Sequence, residues 1–281
     1  MEIQWFDEEY SQELLKIKNA PDKIYAEGDS KLLNNPSGIV AIVGSRNCSE
    51  YARKYAREFA SNLSKCGITI ISGLALGVDT SAHLGGLCGN GKTIAVIGSG
   101  LDKVVPEENI WLYNKILQEG GLIISEKDYG EEIKKDSYQK RNRIISGIAD
   151  AVLIIEAKKN SGSLITARIA NEQAKKVFFI PTRLGEKNSS GIDYLIEIKA
   201  QMVTKAGDIL KSLKKENLSI NLTKEVAPQY KKIYSILEKP KNAEEISFEI
   251  DEEISEVNTK LTIMELEGLI TRDEKGMFVK S

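Results

Sequence analysis

The sequence contains little histidine and little cysteine, and this limits the chemistry that it can support. Its 281 residues include one His and three Cys. A His-rich metal centre is therefore excluded, and any histidine-based catalysis would have to use His83 alone. Cys48, Cys66 and Cys88 are odd in number and have no CxxC spacing, so we expect neither a disulfide framework nor a zinc site. We predict no metal and no other cofactor.

Long hydrophobic runs are also missing. No stretch approaches the ~20 consecutive apolar residues that a membrane-spanning helix needs. The first residues have neither the basic start nor the apolar run of a secretory signal. These absences predict a cytoplasmic protein without a membrane partner, and with 41% hydrophobic residues the chain can still form a full core.

The sequence has no excess of charge of one sign, since 39 Lys and Arg face 41 Asp and Glu, for a net charge of -2. This balance excludes a protein coated in positive charge, such as a histone-like DNA packager. The average conceals an asymmetry, because residues 1–224 carry 31 basic and 28 acidic side chains whereas residues 225–281 carry 8 and 13. Any nucleic-acid site is therefore expected to be a narrow basic track on the larger part.

Short apolar runs alternate with amphipathic stretches along most of the chain. The runs show no polar alternation, which is typical of strands buried on both faces of a parallel sheet. We predict such strands at residues 39–43, 68–71, 93–97, 122–124, 151–155, 177–180 and 201–204. Amphipathic helices are predicted between them, for example at residues 51–65, 107–118 and 164–175. The alternation predicts an α/β fold with a Rossmann-like, doubly wound, mostly parallel sheet.

The acidic carboxyl-terminal part has another pattern. Short helices are predicted at residues 230–237, 243–250 and 255–266, before two β-runs that flank a polar turn at 273–276. Three helices and a hairpin favour a small winged-helix domain. The predicted organisation is an amino-terminal extension, a Rossmann-like domain, a polar linker and the winged helix, at residues 1–37, 38–215, 216–227 and 228–281.

Two nucleotide-binding motifs are matched only in part. Residues 86–93 satisfy GxxxxGK[ST], but a P-loop needs a strand before it and a helix after it, and here the order is reversed. We interpret this segment as a Gly-rich helix end and turn. Gly98-Ser99-Gly100 resembles the start of a dinucleotide fingerprint without its third glycine, so binding of NAD is not predicted.

Small and polar residues recur where the predicted strands end. In an open parallel sheet these ends converge on one crevice, where ligands bind. The predicted crevice and structural set is Ser72, Gly73, Gly77, Asp79, His83, Gly98, Gly100, Ser125, Glu126, Glu156 and Thr166. Tight turns and helix caps also use Gly and Ser, so part of the set is expected to be structural.

The spacing of Asp79 and His83 predicts a side-chain contact, since residues four apart meet on one face of a helix. One interpretation is a general base or site organiser. The other is a hydrogen bond that locks a loop to a helix.

A first basic feature follows the strand at residues 39–43. Arg46 comes directly after Gly44 and Ser45, at an expected helix start. A guanidinium beside free backbone amides offers bidentate recognition of phosphate. Arg46 is therefore predicted to hold an anionic ligand.

A second basic feature is the run from Lys140 to Arg143, which includes Arg141 and Asn142. It could be an exposed helix start with salt bridges. The helix macrodipole disfavours arginine at a helix amino terminus, however, which indicates that some of this charge serves an anion. With Tyr138 or Tyr129 as a stacking face, the composition suits single-stranded nucleic acid.

Taken together, these segments resemble the DNA-processing protein A (DprA/Smf) family. The resemblance covers about 170 residues, in order and spacing, through Val43–Arg46, Ser72–Asp79 with Ala82 and His83, Thr93–Asp102, Ser125–Glu126, Arg141–Gly147, Glu156 and Ser161–Thr166. It implies a non-enzymatic protein that binds and protects single-stranded DNA, dimerises through its Rossmann domain and loads the RecA recombinase in natural transformation. The predicted DNA-binding residues are Gly44, Ser45, Arg46, Lys140, Arg141, Asn142, Arg143, Ser161, Gly162 and Ser163.

Two alternatives remain open at the level of sequence. The first is a nucleotide or N-glycoside hydrolase that uses the same crevice, with Glu126 or Glu156 as acid or base. The second is a nucleotide-sensing regulator that binds duplex DNA through the winged helix. The predicted recognition helix has Lys260 as its single cation against Glu256 and Glu265, which disfavours the regulator. The acidic domain is instead expected to contact protein or to regulate access.

Overall fold

The computed structural model describes residues 1–131, 137–159, 161–182, 190–215, 218, 228–266, 269–273 and 276–280. The chain forms two compact units, Met1–Ile220 and Asn221–Ser281. The predicted linker at residues 216–227 lies outside the described residues except for Leu218.

A sheet of nine strands organises the described part of the first unit. The strands are β1 (Glu2–Gln4), β2 (Lys23–Gly28), β3 (Ile39–Val43), β4 (Thr69–Ser72), β5 (Thr93–Ile97), β6 (Leu122–Ser125), β7 (Ala151–Ile154), β8 (Lys176–Phe179) and β9 (Gln201–Met202). Their spatial order is β1-β2-β6-β5-β4-β3-β7-β8-β9. The pairs from β6 to β9 are parallel, so the mostly parallel Rossmann-like sheet is confirmed.

The first two strands were not predicted from the sequence. β1 pairs antiparallel with β2, and β2 pairs antiparallel with β6, with Tyr25 opposite Ser125. Residues expected to form a separate extension therefore continue the sheet beyond its parallel part. β1 has only three residues, and the six residues of β2 start with a polar residue and end with two exposed ones, so neither strand presents the continuous apolar run by which the parallel strands are recognised.

Seven helices accompany the sheet within the described residues of the first unit. They are α1 (Glu50–Lys65), α2 (Val78–Gly86), α3 (Ile110–Gln118), α4 (Ser137–Ile148), α5 (Gly162–Glu172), α6 (Ile192–Glu197) and α7 (Ala206–Ser212). The Gly-rich segment that matches GxxxxGK[ST] runs from the end of α2 into β5, which confirms that it is not a P-loop. At Gly91 a Cβ atom would lie 2.0 Å from the carbonyl oxygen of Ile68, so this turn requires glycine.

The core lies on both faces of the sheet, because side chains alternate along each strand. Ile39 and Val43 of β3 face one layer, which includes Ile144 of α4. Val40 and Ile42 face the opposite layer, formed in part by α1, α2 and α7. Burial on both faces explains why these strands appear in the sequence as uninterrupted apolar runs.

The second unit has its own small core and an α-then-β order. Its elements are α8 (Lys231–Ile236), α9 (Ala243–Ile250), α10 (Ile254–Leu266), β10 (Ile270–Arg272) and β11 (Phe278–Lys280). The two strands pair antiparallel, and Ile233, Ile246, Val257 and Phe278 are buried among the helices and the hairpin. The winged-helix assignment of this unit stays a prediction.

Three further observations concern the described residues as a whole. None of their helices combines the length and the apolar character needed to span a membrane. All three cysteines are free: Cys48 is buried, Cys66 is partly buried and Cys88 is exposed. Among the same residues, no group of three or more His, Cys, Asp or Glu side chains is placed to hold a metal ion.

Candidate functional site

The strand order creates a crevice beside β3. The chain proceeds from β3 through β4, β5 and β6 on one side, then returns to place β7 on the other side of β3. Loops that leave the carboxyl ends of β3 and β7 therefore diverge, and ligands of open α/β sheets bind at such a switch point. A cleft of about 520 Å³ opens there, which we call the switch-point cleft.

Three segments form most of the walls of the switch-point cleft, and Ala75 and Asp79 complete them. The segments are the loop after β3, the first two turns of α4, and the loop after β7 with the first turn of α5. Of the predicted DNA-binding residues, the cleft brings together Gly44, Ser45, Arg46, Arg141, Asn142, Ser161, Gly162 and Ser163. Lys140 and Arg143 are not among its lining residues. Asp79 and Thr166 from the predicted crevice set also line it.

Arg46 is exposed in the loop after β3, and its guanidinium carbon lies 5.2 Å from the centre of the Tyr138 ring. This cation–π contact places Tyr138, rather than Tyr129, next to the arginine. Tyr129 instead packs edge-on against Tyr25, with ring centres 6.3 Å apart. Within the described part of the chain, Arg46 makes no ion pair with a carboxylate, so its charge stays available to a ligand.

The expected position of Arg46 at a helix start is wrong. Helix α1 begins at Glu50, and the Ser49 side chain caps it by accepting a hydrogen bond from Ala52 N at 3.1 Å. The carboxylate of Glu156 is only 5% exposed and accepts from the Ser49 hydroxyl at 2.6 Å and from Ser49 N at 3.3 Å. Glu156 thus occupies the start of α1 and leaves no anion site there.

The helix amino terminus that does face the cleft belongs to α5. Ser161 caps α5, and its hydroxyl lies 2.9 Å from the Ser163 hydroxyl. A Cβ atom on Gly162 would meet nothing within 4 Å, so this first turn is open to the cleft. The partial positive charge of a helix amino terminus and its unpaired N–H groups favour an anion.

Lys158 is a site residue that the sequence prediction missed. It lies between Glu156 and the cap of α5, is exposed and lines the switch-point cleft. No ion pair with a carboxylate involves Lys158 among the residues that the structure describes. Lys158 could have been predicted from the sequence, because it is a basic residue shortly after the carboxyl end of a predicted strand. Arg46 was selected for the same reason after β3.

Arg141 lines the cleft but is only 7% exposed, and its role in DNA binding stays a prediction. Its Nη1 donates hydrogen bonds to the carbonyl oxygens of Gly73 at 2.5 Å and of Val96, at the ends of β4 and β5. Burial lowers the pKa of Arg141, and the negative charge of Asp79 opposes that effect. Its guanidinium is therefore engaged in joining α4 to two strands.

Gly73 is required by this arrangement. A Cβ atom at position 73 would lie 2.5–2.6 Å from the guanidinium of Arg141, so a larger residue would have to displace this hydrogen-bonded group. Gly77 has a comparable constraint, with φ at +83° and a Cβ position 2.5 Å from the carbonyl oxygen of Ser45. Gly73 and Gly77, two of the four glycines in the predicted crevice set, thus have close-packing constraints of their own.

Asp79 and His83 do not bond to each other, so the predicted i,i+4 partnership is wrong. Asp79 accepts from Gly73 N at 3.2 Å and Ala75 N at 3.4 Å, while Nε2 of His83 accepts from Leu74 N at 3.2 Å. Both side chains therefore lock the loop after β4 onto α2, as the structural interpretation expected. Burial, assisted by the charge of Arg141, lowers the pKa of His83 to about 3 and keeps it neutral.

Lys140 and Arg143 lie on another side of α4, because helical periodicity separates them from Tyr138 and Arg141. Lys140 lines a smaller cavity of about 290 Å³ together with Gly98 and Glu126. Arg143 forms an ion pair with Glu126, and its side chain is 18% exposed. The structure thus divides the predicted basic run between two surfaces.

The remaining predicted residues have internal partners. The Ser72 hydroxyl donates to the carbonyl oxygen of Ile42 at 2.7 Å, and the Ser125 hydroxyl donates to that of Ser99 at 2.6 Å. Gly100 packs against Asp128 at the far side of the sheet. These ends of β5 and β6 do not converge on the switch-point cleft, since the parallel strands between them and β3 set them apart.

An open α/β sheet with a cleft at its switch point defines a Rossmann-like protein, a class whose ligands bind at that point of the sheet. A family model described as DNA recombination-mediator protein A matches residues 2–214. The chain therefore belongs to the DNA recombination-mediator protein A (DprA/Smf) family.

Curated relatives agree with this membership. Protein Smf of Escherichia coli is 39% identical over 204 residues, which are 73% of this chain and 54% of that protein. DNA processing protein DprA of Streptococcus pneumoniae is 41% identical over 204 residues, covering 73% of this chain and 71% of that protein. The chain thus spans little more than half the length of the Escherichia coli relative.

Solved structures of the family share the fold. DNA processing protein A from Streptococcus pneumoniae aligns with a TM-score of 0.70 and 39% identity, over 75% of this chain and 73% of that one. DNA processing protein A from Helicobacter pylori, whose report concerns its single-stranded DNA binding mode, aligns with a TM-score of 0.69 and 33% identity. That alignment covers 77% of this chain and 97% of that one.

Proposed function

We propose that this protein binds single-stranded DNA in the switch-point cleft and acts without catalytic turnover. The observation that carries the proposal is the position of Arg46, which is exposed, free of acidic partners among the described residues and stacked over Tyr138. Arg46, Lys158 and the amino terminus of α5 line one cleft and together favour backbone phosphates. Tyr138 supplies an aromatic face for a base, which is the combination that single strands need.

The comparison with relatives supports the same ligand. The Helicobacter pylori neighbour is described by its single-stranded DNA binding mode, and it shares the fold over 77% of this chain. The residues proposed to hold DNA lie within the matched range 2–214. The revised DNA-binding set is Gly44, Ser45, Arg46, Tyr138, Asn142, Lys158, Ser161, Gly162 and Ser163.

The two alternatives receive less support from the site. A hydrolase would need Glu126 or Glu156 as an acid or base, yet Glu126 pairs with Arg143 and Glu156 holds the start of α1. The duplex-binding regulator would depend on Lys260 of α10, which forms an ion pair with Glu252. Neither arrangement leaves the required group free for its task.

Titration of labelled oligonucleotides by fluorescence anisotropy over a salt series tests the proposal. Single strands should bind more tightly than duplexes of equal length. Arg46→Ala and Lys158→Ala should each flatten the log–log salt slope by about 0.7, a loss of about fivefold in affinity at 0.1 M salt. Arg57→Ala, which removes an exposed arginine of α1 outside the cleft, is the matched control. Equal duplex affinity, or Arg46→Ala behaving like Arg57→Ala, would contradict the proposal.

The proposal includes two partners that the family resemblance implies. We infer that the protein forms a homodimer through its α/β unit, which would double the DNA track and add avidity.

We infer further that it loads the RecA recombinase on single strands during natural transformation and protects those strands, in the cytoplasm. Stimulation of the DNA-dependent ATPase of RecA by the wild-type protein, but not by Arg46→Ala, tests the loading step. An unchanged RecA ATPase would count against it.

A further inference from the structure

A second cavity adjoins the switch-point cleft on the other side of the first turn of α5. It has a volume of about 360 Å³ and shares Ser161 and Ile165 with the cleft. A strand that crosses the amino terminus of α5 would therefore pass directly from one cavity to the other. The predicted site residues do not account for this space, apart from the shared Ser161.

The walls of the second cavity combine an apolar surface with an aromatic ring. Leu164 is 7% exposed, and Ile165 beside it is partly buried on α5. Tyr194 of α6 is partly buried and packs against the hydrophobic core while it also lines the cavity. A flat, largely apolar group such as a nucleobase fits between surfaces of this kind.

The cationic and the anionic side chains of the cavity come from different elements. Lys159 and Arg168 line it from the side of α5, and Asp193 and Glu197 line it from α6. In the described part of the chain, neither carboxylate forms an ion pair with either cation, and Arg168 instead lies 3.8 Å from Glu172. Lys159, Asp193 and Glu197 have no ion pair among the described residues, so both signs remain available to a ligand that carries an anionic group at one end and N–H donors at the other.

A nucleotide of single-stranded DNA has this distribution of groups. Its phosphate would meet Lys159 or Arg168, and the edge of its base would face Asp193 and Glu197. Carboxylates accept hydrogen bonds from the exocyclic N4 amino group of cytosine, whereas thymine presents an acceptor oxygen at the equivalent position. In a single strand this edge is unpaired and can be read directly.

We propose that the second cavity is a nucleobase subsite that prefers amino-bearing bases, cytosine over thymine. The inference rests on the proposed binding of single-stranded DNA and adds a base preference to it. Asp193 and Glu197 determine the preference, and Tyr194 contributes affinity for either base.

Anisotropy titrations with oligo-dC and oligo-dT of equal length test the subsite. The wild-type protein should bind oligo-dC at least about fivefold more tightly, which corresponds to one hydrogen-bonded base contact. Asp193→Asn and Glu197→Gln should reduce this ratio towards one, because an amide donates as well as accepts. Tyr194→Ala and the milder Tyr194→Leu should weaken both oligonucleotides alike. Glu58→Gln, an exposed carboxylate on α1, is the matched control and should keep the wild-type ratio.

The possible outcomes separate this inference from the proposal on which it rests. If wild-type protein binds both oligonucleotides with equal affinity, the subsite is overturned while single-strand binding stands. The same conclusion follows if the ratio survives in Asp193→Asn and Glu197→Gln. If neither oligonucleotide binds, the proposed function itself falls and the subsite falls with it.

Discussion

His83, the single histidine of the sequence, has a structural role. Its Nδ1 lies 2.8 Å from the Thr93 hydroxyl and its Nε2 accepts from Leu74 N, so both ring nitrogens are used internally. Because the ring is fully buried and neutral, it joins α2 to the loop after β4 and to β5. The sequence could identify His83 as the single histidine, but only its surroundings exclude it as a general base at neutral pH.

His83 should give the protein a specific loss of stability in mild acid. Its pKa is lowered to about 3 in the folded protein from 6.5, so between these values the unfolded chain binds the additional proton. The stabilising contribution is present above pH 6.5 and is lost as pH falls towards 3. From pH 7 to pH 5 this amounts to about 2 kcal/mol in the free energy of unfolding.

Urea unfolding of wild type and His83→Gln at pH 7, 6 and 5 measures this effect. The variant has no titrating ring, so its free energy of unfolding should change less over this range than that of the wild type. No other histidine is present to titrate between these values. Parallel pH profiles for the two proteins would show that His83 is not neutral and buried as described.

At the scale of elements, α4 decides which basic residues share a surface. Tyr138 and Arg141 are three residues apart on one face, whereas Arg143 projects towards Glu126. The sequence shows a compact cluster of four polar residues, and a cluster suggests a single site. Helical geometry distributes it over two surfaces and buries Arg141 between α4, β4 and β5.

Arg141 should therefore act on stability and on cleft geometry rather than through phosphate neutralisation. Arg141→Met leaves Asp79 buried beside an apolar side chain and removes three hydrogen bonds, at a cost of about 3–5 kcal/mol in the free energy of unfolding. Arg46→Ala removes an exposed side chain and should cost less than about 0.5 kcal/mol. Urea unfolding of both variants checks this contrast.

A conservative variant separates positioning from ligand contact. Arg141→Lys keeps the charge but loses the fork of donors, so we expect weaker binding of single-stranded DNA with an unchanged salt slope. Arg46→Ala, by comparison, should flatten the slope. If Arg141→Lys behaved as the wild type in unfolding and Arg141→Ala flattened the slope, Arg141 would be a phosphate ligand after all.

At the scale of the whole molecule, charge is divided between the two units. Residues 225–281 carry a net charge of -5, which opposes phosphate binding, while the switch-point cleft lies wholly within the first unit. A chain cut after Lys215 should therefore keep its affinity for single-stranded DNA within about twofold of the full chain. It should also keep the proposed dimeric state, since that interface is assigned to the α/β unit.

Anisotropy titration and sedimentation velocity of the cut and full chains check both statements. A circular dichroism spectrum and an unfolding curve establish that the cut chain is folded before it is compared. A tenfold loss of affinity in the folded, cut chain would place part of the DNA site in the second unit. Conversion to a monomer would assign the dimer interface to the second unit as well.

Most of the parallel sheet could be predicted from the sequence because burial on both faces leaves an apolar run in each strand. The strands β1 and β2 could not, since β1 has only three residues and β2 starts with a polar residue and ends with two exposed ones, which leaves no continuous apolar run. In the site, the criterion of small and charged residues after strand ends identified Gly44, Ser45 and Arg46. It could not distinguish the ends of β3 and β7 from those of β5 and β6, because spatial strand order is not a property of local sequence.

The sequence by itself determined the class of fold, the family and the neutral overall charge with its uneven division, since these depend on residue types and their spacing. Only the tertiary structure decided which charges are available to a ligand. Arg46 and Arg141 are equivalent as residue types, but one lies exposed over Tyr138 and the other is buried against Gly73 and Val96. The physical reason is desolvation: a buried guanidinium must satisfy its donors within the protein, whereas an exposed one retains them for phosphate.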